Sequence, residues 1–306
     1  MEPVFWKEMR DHFSSWRFIL LVAIILVTGI GFTLWSAQTI RQAAADAPPE
    51  YVFLILLTLP RAVFSVASFL AFVGPFVGII LGFDMISGEY ARGTLSRVLS
   101  QPIYRDSLVN GKFLAGLTTV SVLWFSILLI FLGLGINLLG FAPNAEELWR
   151  MLIFTVAGIV YVGFWLALSM LFSLLFQRTI TAALAALTAW LFLTLFVPIL
   201  SQALPALIVP NPSTPEQLAL QLNIENMTNR VSPVYLFSSE IVQNLLNPRS
   251  HILSAIDPDA TGILPTPLSL RQSLLLIWPH ISTLFALVAV CFGISYIKFM
   301  RDEIRA

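Results

Sequence analysis

The sequence predicts an all-α integral membrane protein with six transmembrane helices, an N-terminal interfacial helix, a cytoplasmic helix between helices 2 and 3, and a long extracytoplasmic loop between helices 5 and 6. Three observations predict it. Hydrophobic residues make up 58% of the chain and charged residues only 11%, far from the balance of a soluble domain. Six long intervals contain no Asp, Glu, Lys or Arg: Arg17 to Arg41, Arg61 to Asp84, Lys112 to Glu146, Arg150 to Arg178, Arg178 to Glu216, and Arg271 to Lys298. Each can hold the roughly 20 apolar residues that cross hydrocarbon. The basic residues are also unevenly shared between alternate connections. Acidic and basic totals are equal at 17 each, so no overall charge points to nucleic acid.

The elements follow in order along one transmembrane domain, 1-306. In residues 1-17, Phe5, Met9, Phe13 and Trp16 recur at helical spacing with Glu8, Asp11 and Ser15 opposite, the pattern of a helix lying in the membrane surface. Helix 1 is expected at 18-38. The apolar stretch Tyr51 to Leu59 is too short to cross and stops at Pro60, so it reads as an external interfacial or re-entrant piece. Helix 2, at 62-83, carries Gly74, Gly78 and Gly82 at four-residue spacing, a smooth stripe for close helix packing.

The segment 84-112, "DMISGEYARGTLSRVLSQPIYRDSLVNGK", is the densest polar stretch. Ser87 reads as the N-cap of a short helix with Glu89, Tyr90 and Ala91 in its first turn. Leu95, Val98 and Leu99 fall on one face, Glu89, Arg92, Ser96 and Arg97 on the other, and Pro102 ends it. Helices 3, 4 and 5 are expected at 113-139, 151-176 and 180-209. The loop 210-272 contains two apolar-periodic pieces, "PEQLALQLNIENMTNRV" and "VYLFSSEIVQNLL", then a Pro-punctuated return. Helix 6 is expected at 273-297.

Orientation follows from the short loops. One side holds Lys7, Arg10, Arg17, Arg92, Arg97, Arg105, Lys112, Arg178, Lys298, Arg301 and Arg305, and the other only Arg41, Arg61 and Arg150. Eleven against three places both termini and the 84-112 segment in the cytoplasm.

Catalytic patterns are missing. The three histidines, His12, His251 and His280, form no HExxH pair, there is no GxSxG elbow, and Asp106 stands where a phosphate loop ending at Gly111-Lys112 would need its first glycine. The single cysteine, Cys291, excludes an intrachain disulfide and a cysteine metal cluster. No metal site and no ATP hydrolysis by this chain are expected.

The stretch "FDMISGEYARGTLSRVLSQPIYRDSLVNGK" resembles the region after the second transmembrane helix of ABC transporter permeases of the exporter type-2 class, especially the NosY-like branch. The match runs through Asp84, Ser87, Gly88, Glu89, Arg92, Gly93, Thr94, Leu95, Leu99, Pro102, Gly111 and Lys112, and "SPVYLFSSEIVQNLLNP" resembles the loop before the last span. The departure is "EYARGT" where many relatives carry "ERERGT". The resemblance implies that Glu89 to Ser100 is the coupling helix that docks on a separate cytoplasmic ABC ATPase subunit, which would hold the ATP and Mg. Its ATPase-coupling contacts would be Glu89, Tyr90, Arg92, Gly93, Thr94, Leu95, Arg97 and Leu99, with Gln177 and Arg178 in a second, smaller contact. A second permease copy or paralogue would complete the transporter in the plasma membrane. Phe69, Phe72, Phe76, Phe192 and Phe196 would be the candidate translocation path. The alternative is a non-transporting scaffold or mechanotransmission subunit acting on an extracytoplasmic protein through the 210-272 loop.

Overall fold

The computed structural model describes residues 2–43, 52–58, 65–94, 104–210, 214–246 and 268–301. Every regular element among them is helical: α1 Glu2–Ser14, α2 Trp16–Ala43, α3 Val52–Thr58, α4 Val66–Gly82, α5 Ser87–Ala91, α6 Arg105–Leu139, α7 Ala145–Leu175, α8 Thr179–Ile208, α9 Pro215–Asn229, α10 233–246 and α11 Leu270–Arg301. Among the described residues, five helices are long and apolar enough to cross a membrane: Trp16–Gln38 within α2, and α6, α7, α8 and α11. α4 is apolar but has 17 residues, at the short limit for a span.

α7 is the central helix. α4, α6 and α11 pack around it, and most of its residues are buried, including Tyr161, Trp165 and Leu166. Gly74, Gly78 and Gly82 face it from α4, so closely that a Cβ built on Gly78 would lie 2.7 Å from the Val162 carbonyl oxygen. Pro75, one residue after the first of these glycines, removes an N–H from the α4 ladder and would leave the Ala71 carbonyl without its helical donor. The Tyr161 hydroxyl donates to that carbonyl at 2.8 Å, so α7 repairs the gap. α8 is the opposite case: its buried residues, Ala182, Ala186, Trp190, Val197, Ser201 and Pro205, form one narrow stripe, and its remaining faces are open. A π turn over Phe192–Phe196 precedes Pro198, as expected where a proline disturbs the ladder.

The structure corrects several expectations. α6 is one helix from Arg105, so "RDSLVNGK" is its first two turns rather than a connector leading to a start at 113. α3, read as an interfacial or re-entrant piece, packs into the bundle: Val52, Phe53, Leu54, Leu56 and Leu57 are buried, and the Phe53 N–H donates to Glu147 Oε1 at 2.8 Å. Glu147 also closes a capping box with Asn144, so one carboxylate terminates two helices.

The largest correction concerns 210-272, expected outside the membrane. α9, started by a Thr214 capping box and Pro215, runs back along the second half of α8, and the start of α10 meets the α8 π turn. Phe237 of α10 then stacks on Tyr161, about midway along α7, with centroids 4.4 Å apart. The two helices therefore form a hairpin folded into the bundle. Leu236, Phe237, Ile241, Val242, Leu245 and Leu246 are buried; this many apolar side chains gain more against α7 and α11 than in water. At the hairpin mouth, Arg150 is fully buried and donates to Glu146, to the carbonyls of Leu245 and Leu268 and to Ser273, all within 3.1 Å.

Candidate functional site

At the end of the bundle opposite the hairpin mouth, α1, the end of α4, α5 and the start of α6 enclose a polar cavity of about 510 Å³. Local sequence explains how its walls are held. α5 is too short to be stable alone, and Ser87, expected as its N-cap, is instead helical: Ile86 holds the cap position, and the Ser87 hydroxyl turns back to donate to the Phe83 carbonyl at 2.8 Å. The cap comes from α7, where Ser173 Oγ accepts from the N–H groups of Ile86 and Ser87 at 3.0 and 2.9 Å. Nothing near α5 in the sequence signals Ser173, 86 residues away.

Of the helix expected from Glu89 to Ser100, the structure describes the part up to Thr94. The helix stops at Ala91, and Gly93 takes a φ of +64°, a left-handed value that glycine adopts without strain. Leu95, Arg97, Leu99 and Pro102 lie outside the described residues.

Glu89, expected on an outward polar face, points inward, with its side chain only 7% exposed. The Thr94 hydroxyl donates to it, and Arg92, Lys112 and Lys7 stand 3.5, 3.6 and 4.0 Å from Oε1. Burial by itself would raise the Glu89 carboxyl, but the Thr94 hydrogen bond and the three cations outweigh it and hold the group below the usual carboxylate range. Lys112 is buried on α6 and donates to Glu8 Oε1 at 2.6 Å. On α1, Val4 and Glu8 are buried while Phe13 is exposed; Glu8 turns toward the bundle because a buried ammonium on α6 requires a carboxylate opposite it. Across the cavity mouth, Arg17 pairs with Asp84 at 3.5 Å and lies over the Phe83 ring. Burial pushes the Asp84 carboxyl up, against the pull of Arg17, Arg92 and Lys112. His12 is pushed down by burial, with Glu8 opposing the shift and Lys112 adding to it.

The remaining expected residues divide clearly. Arg92 is exposed, Tyr90 half-buried against the core, and Gln177 and Arg178 exposed in the turn between α7 and α8. α5 packs on the start of α8, which brings this turn beside the α5 end. Of the aromatic residues, Phe72 and Phe76 gather on Trp190 of α8, Phe69 turns to Phe32 of α2, and Phe192 and Phe196 stack on each other on the exposed side of α8.

The site is built from charged and hydroxyl side chains. It is an ion-pair relay: Glu89 and Lys112 connect the exposed α5 end to α1 and α6, and Ser173 connects it to α7.

The family model described as ABC-2 family transporter protein matches residues 3–304. The chain is 27% identical over 216 residues to the probable ABC transporter permease protein NosY of Pseudomonas aeruginosa, spanning 68% of this chain and 72% of that one. It is 26% identical over 211 residues to the protein of the same description from Stutzerimonas stutzeri, spanning 66% and 68%.

Proposed function

Because the chain belongs to the ABC-2 family of transporter proteins, we propose that it is the permease subunit of an ABC exporter in the plasma membrane, driven by a separate cytoplasmic ABC ATPase. Both termini and the α5 end face the cytoplasm, and α4 is the sixth crossing. ATP and Mg bind in the partner, and a second permease copy or paralogue covers the open faces of α8 and α4, with Phe72, Phe76, Phe192 and Phe196 at the path between them.

The observation that carries this reading is the joint at α5. Arg92 and Gly93 are exposed beside Gln177 and Arg178, while Glu89, one turn back, ties the same helix to α1 and α6 through Lys112 and Lys7. A push on the exposed side is thereby delivered to α1 and α6, and through Ser173 to α7. In this account Arg92, Gly93, Gln177 and Arg178 touch the ATPase, with Leu95, Arg97 and Leu99 continuing that surface, whereas Glu89, Tyr90 and Thr94 transmit the motion from behind.

The test is co-purification with the ATPase and measurement of stimulated hydrolysis in lipid nanodiscs. Arg92→Glu combined with Arg178→Glu should retain folding and lose most of the stimulation; unchanged stimulation would rule out this surface as the contact.

One observation favours the mechanotransmission alternative. Arg150 holds the carbonyls of Leu245 and Leu268 together, so the two ends flanking 247–267 meet at one point, a geometry suited to presenting a segment to an extracytoplasmic protein. Deleting 248–267 separates the readings: an exporter keeps coupled hydrolysis and transport, whereas a mechanical relay keeps hydrolysis and loses its partner.

A further inference from the structure

The hairpin meets the last span through a charged cluster that neither reading uses. Glu240 lies in the π turn Leu236–Val242 of α10. Its Oε1 accepts from Nε of Arg230, just after α9, at 3.0 Å, and its Oε2 lies 3.4 Å from Nε2 of His280 on α11. Each carboxylate oxygen serves one base, so binding one does not displace the other. The Glu240 and His280 side chains are 15% and 11% exposed while Arg230 is 50% exposed. The cluster is shielded, yet open on the arginine side.

The surroundings of His280 leave few competing charges. α10 contributes Glu240 and the connection after α9 contributes Arg230; Tyr235 and Glu225 lie within electrostatic reach of that pair. α7, packed on α11, carries Glu146, Glu147 and Arg150 only at its start, where Arg150 bonds Ser273, about two turns before His280. α6 carries no charge from Phe113 to Leu139, and on α11 itself the charges are Arg271, Lys298 and Arg301 near its ends.

We propose that the Glu240 and His280 pair is a proton-operated latch, set from the side of the membrane on which the hairpin opens. When that aqueous phase acidifies, the imidazole takes up one proton, a neutral contact becomes an ion pair, and α10 is fastened to α11. Two features make α10 the part that moves. It is held on its α7 side by apolar ring stacking, with Phe237 against Tyr161 and Phe154, which does not respond to pH. Its π turn, and the π turn of α8 that meets it, interrupt the regular ladder at the depth where the hairpin turns, a place where helices commonly flex. Mild acid should therefore hold the hairpin closed, and neutral pH should let it separate from the last span.

The experiment uses the full chain in lipid nanodiscs, in a Cys291→Ser background, with spin labels at Met227→Cys on α9 and Leu275→Cys on α11, both exposed positions. Pulsed dipolar spectroscopy is recorded at about pH 7.5 and about pH 5.5, spanning the ordinary histidine range. The separated population should fall roughly fivefold on acidification, the scale of a partly exposed ion pair. His280→Gln and Glu240→Gln should each give the same distribution at both pH values. A pH-independent distribution in the parent protein, separation that grows in acid, or a His280→Gln protein that keeps the response would each overturn the latch. The readout is a distance within one chain, so the result stands whether or not an ATPase couples to α5.

Discussion

The two ends of the bundle each bury a basic residue, and they do it differently. At the hairpin mouth, Arg150 is wholly enclosed and its planar fork is satisfied by one carboxylate, one hydroxyl and two backbone carbonyls. At the α5 end, Lys112 sits beside a cavity, shared between two carboxylates that are themselves shared with other cations. A guanidinium with fixed donors on backbone acceptors has one good geometry, whereas a point-charge ammonium shared between two carboxylates has several. The first arrangement locks α7, α10 and α11 together. The second lets α1, α5 and α6 change register at small cost, which suits an element that receives force.

Substitutions that exchange these characters should have graded effects. Arg150→Met should be the most damaging, costing on the order of 3 kcal/mol or more by stranding buried acceptors and Glu146; the thermal midpoint and the yield of folded protein in detergent report it. Lys112→Met should come next, at about 2 kcal/mol, because Glu8 and Glu89 would then face each other across the cavity. Adding Glu8→Gln should recover part of that loss, and a cycle showing no recovery would remove the relay as described.

Third is pH. Glu89 is held below its unfolded value, so its contribution is present above that value and is lost as pH falls through the depressed folded one. The α5 end should loosen only below the ordinary carboxylate range, seen as increased trypsin cleavage near Arg92, and Glu89→Gln should be loose at every pH. The smallest effect on stability belongs to Arg92→Ala, no more than about 0.5 kcal/mol for so exposed a pair, although its effect on ATPase stimulation should be large.

How much of this was legible follows from the range of each signal. Helix existence was readable because charge-free apolar intervals report membrane burial locally, and the periodic pieces at 214–246 were visible as helices. Their destination was not: Leu218, Leu220 and Leu222 recur every second residue and so define no single helix face, and the Pro-rich flanks read equally well as an exterior loop. The charge count treated Arg150 as a topology marker, since only folding brings Leu245 and Leu268 to it. Glu89 was found as a site residue with its direction reversed, because the cations that draw it inward, Lys7 and Lys112, come from elements distant in sequence. Ser173 and Glu8 were missed for the same reason.

The bond from Tyr161 to the Ala71 carbonyl makes two positions historically dependent on each other. While Pro75 is present, Tyr161→Phe strands a buried carbonyl and should cost about 1–2 kcal/mol; with Pro75→Ala the helix supplies its own donor and the same change should be close to neutral. A descendant of this chain could therefore lose the tyrosine readily only after losing the proline. Among its relatives, phenylalanine at 161 together with proline at 75 should be a rare combination.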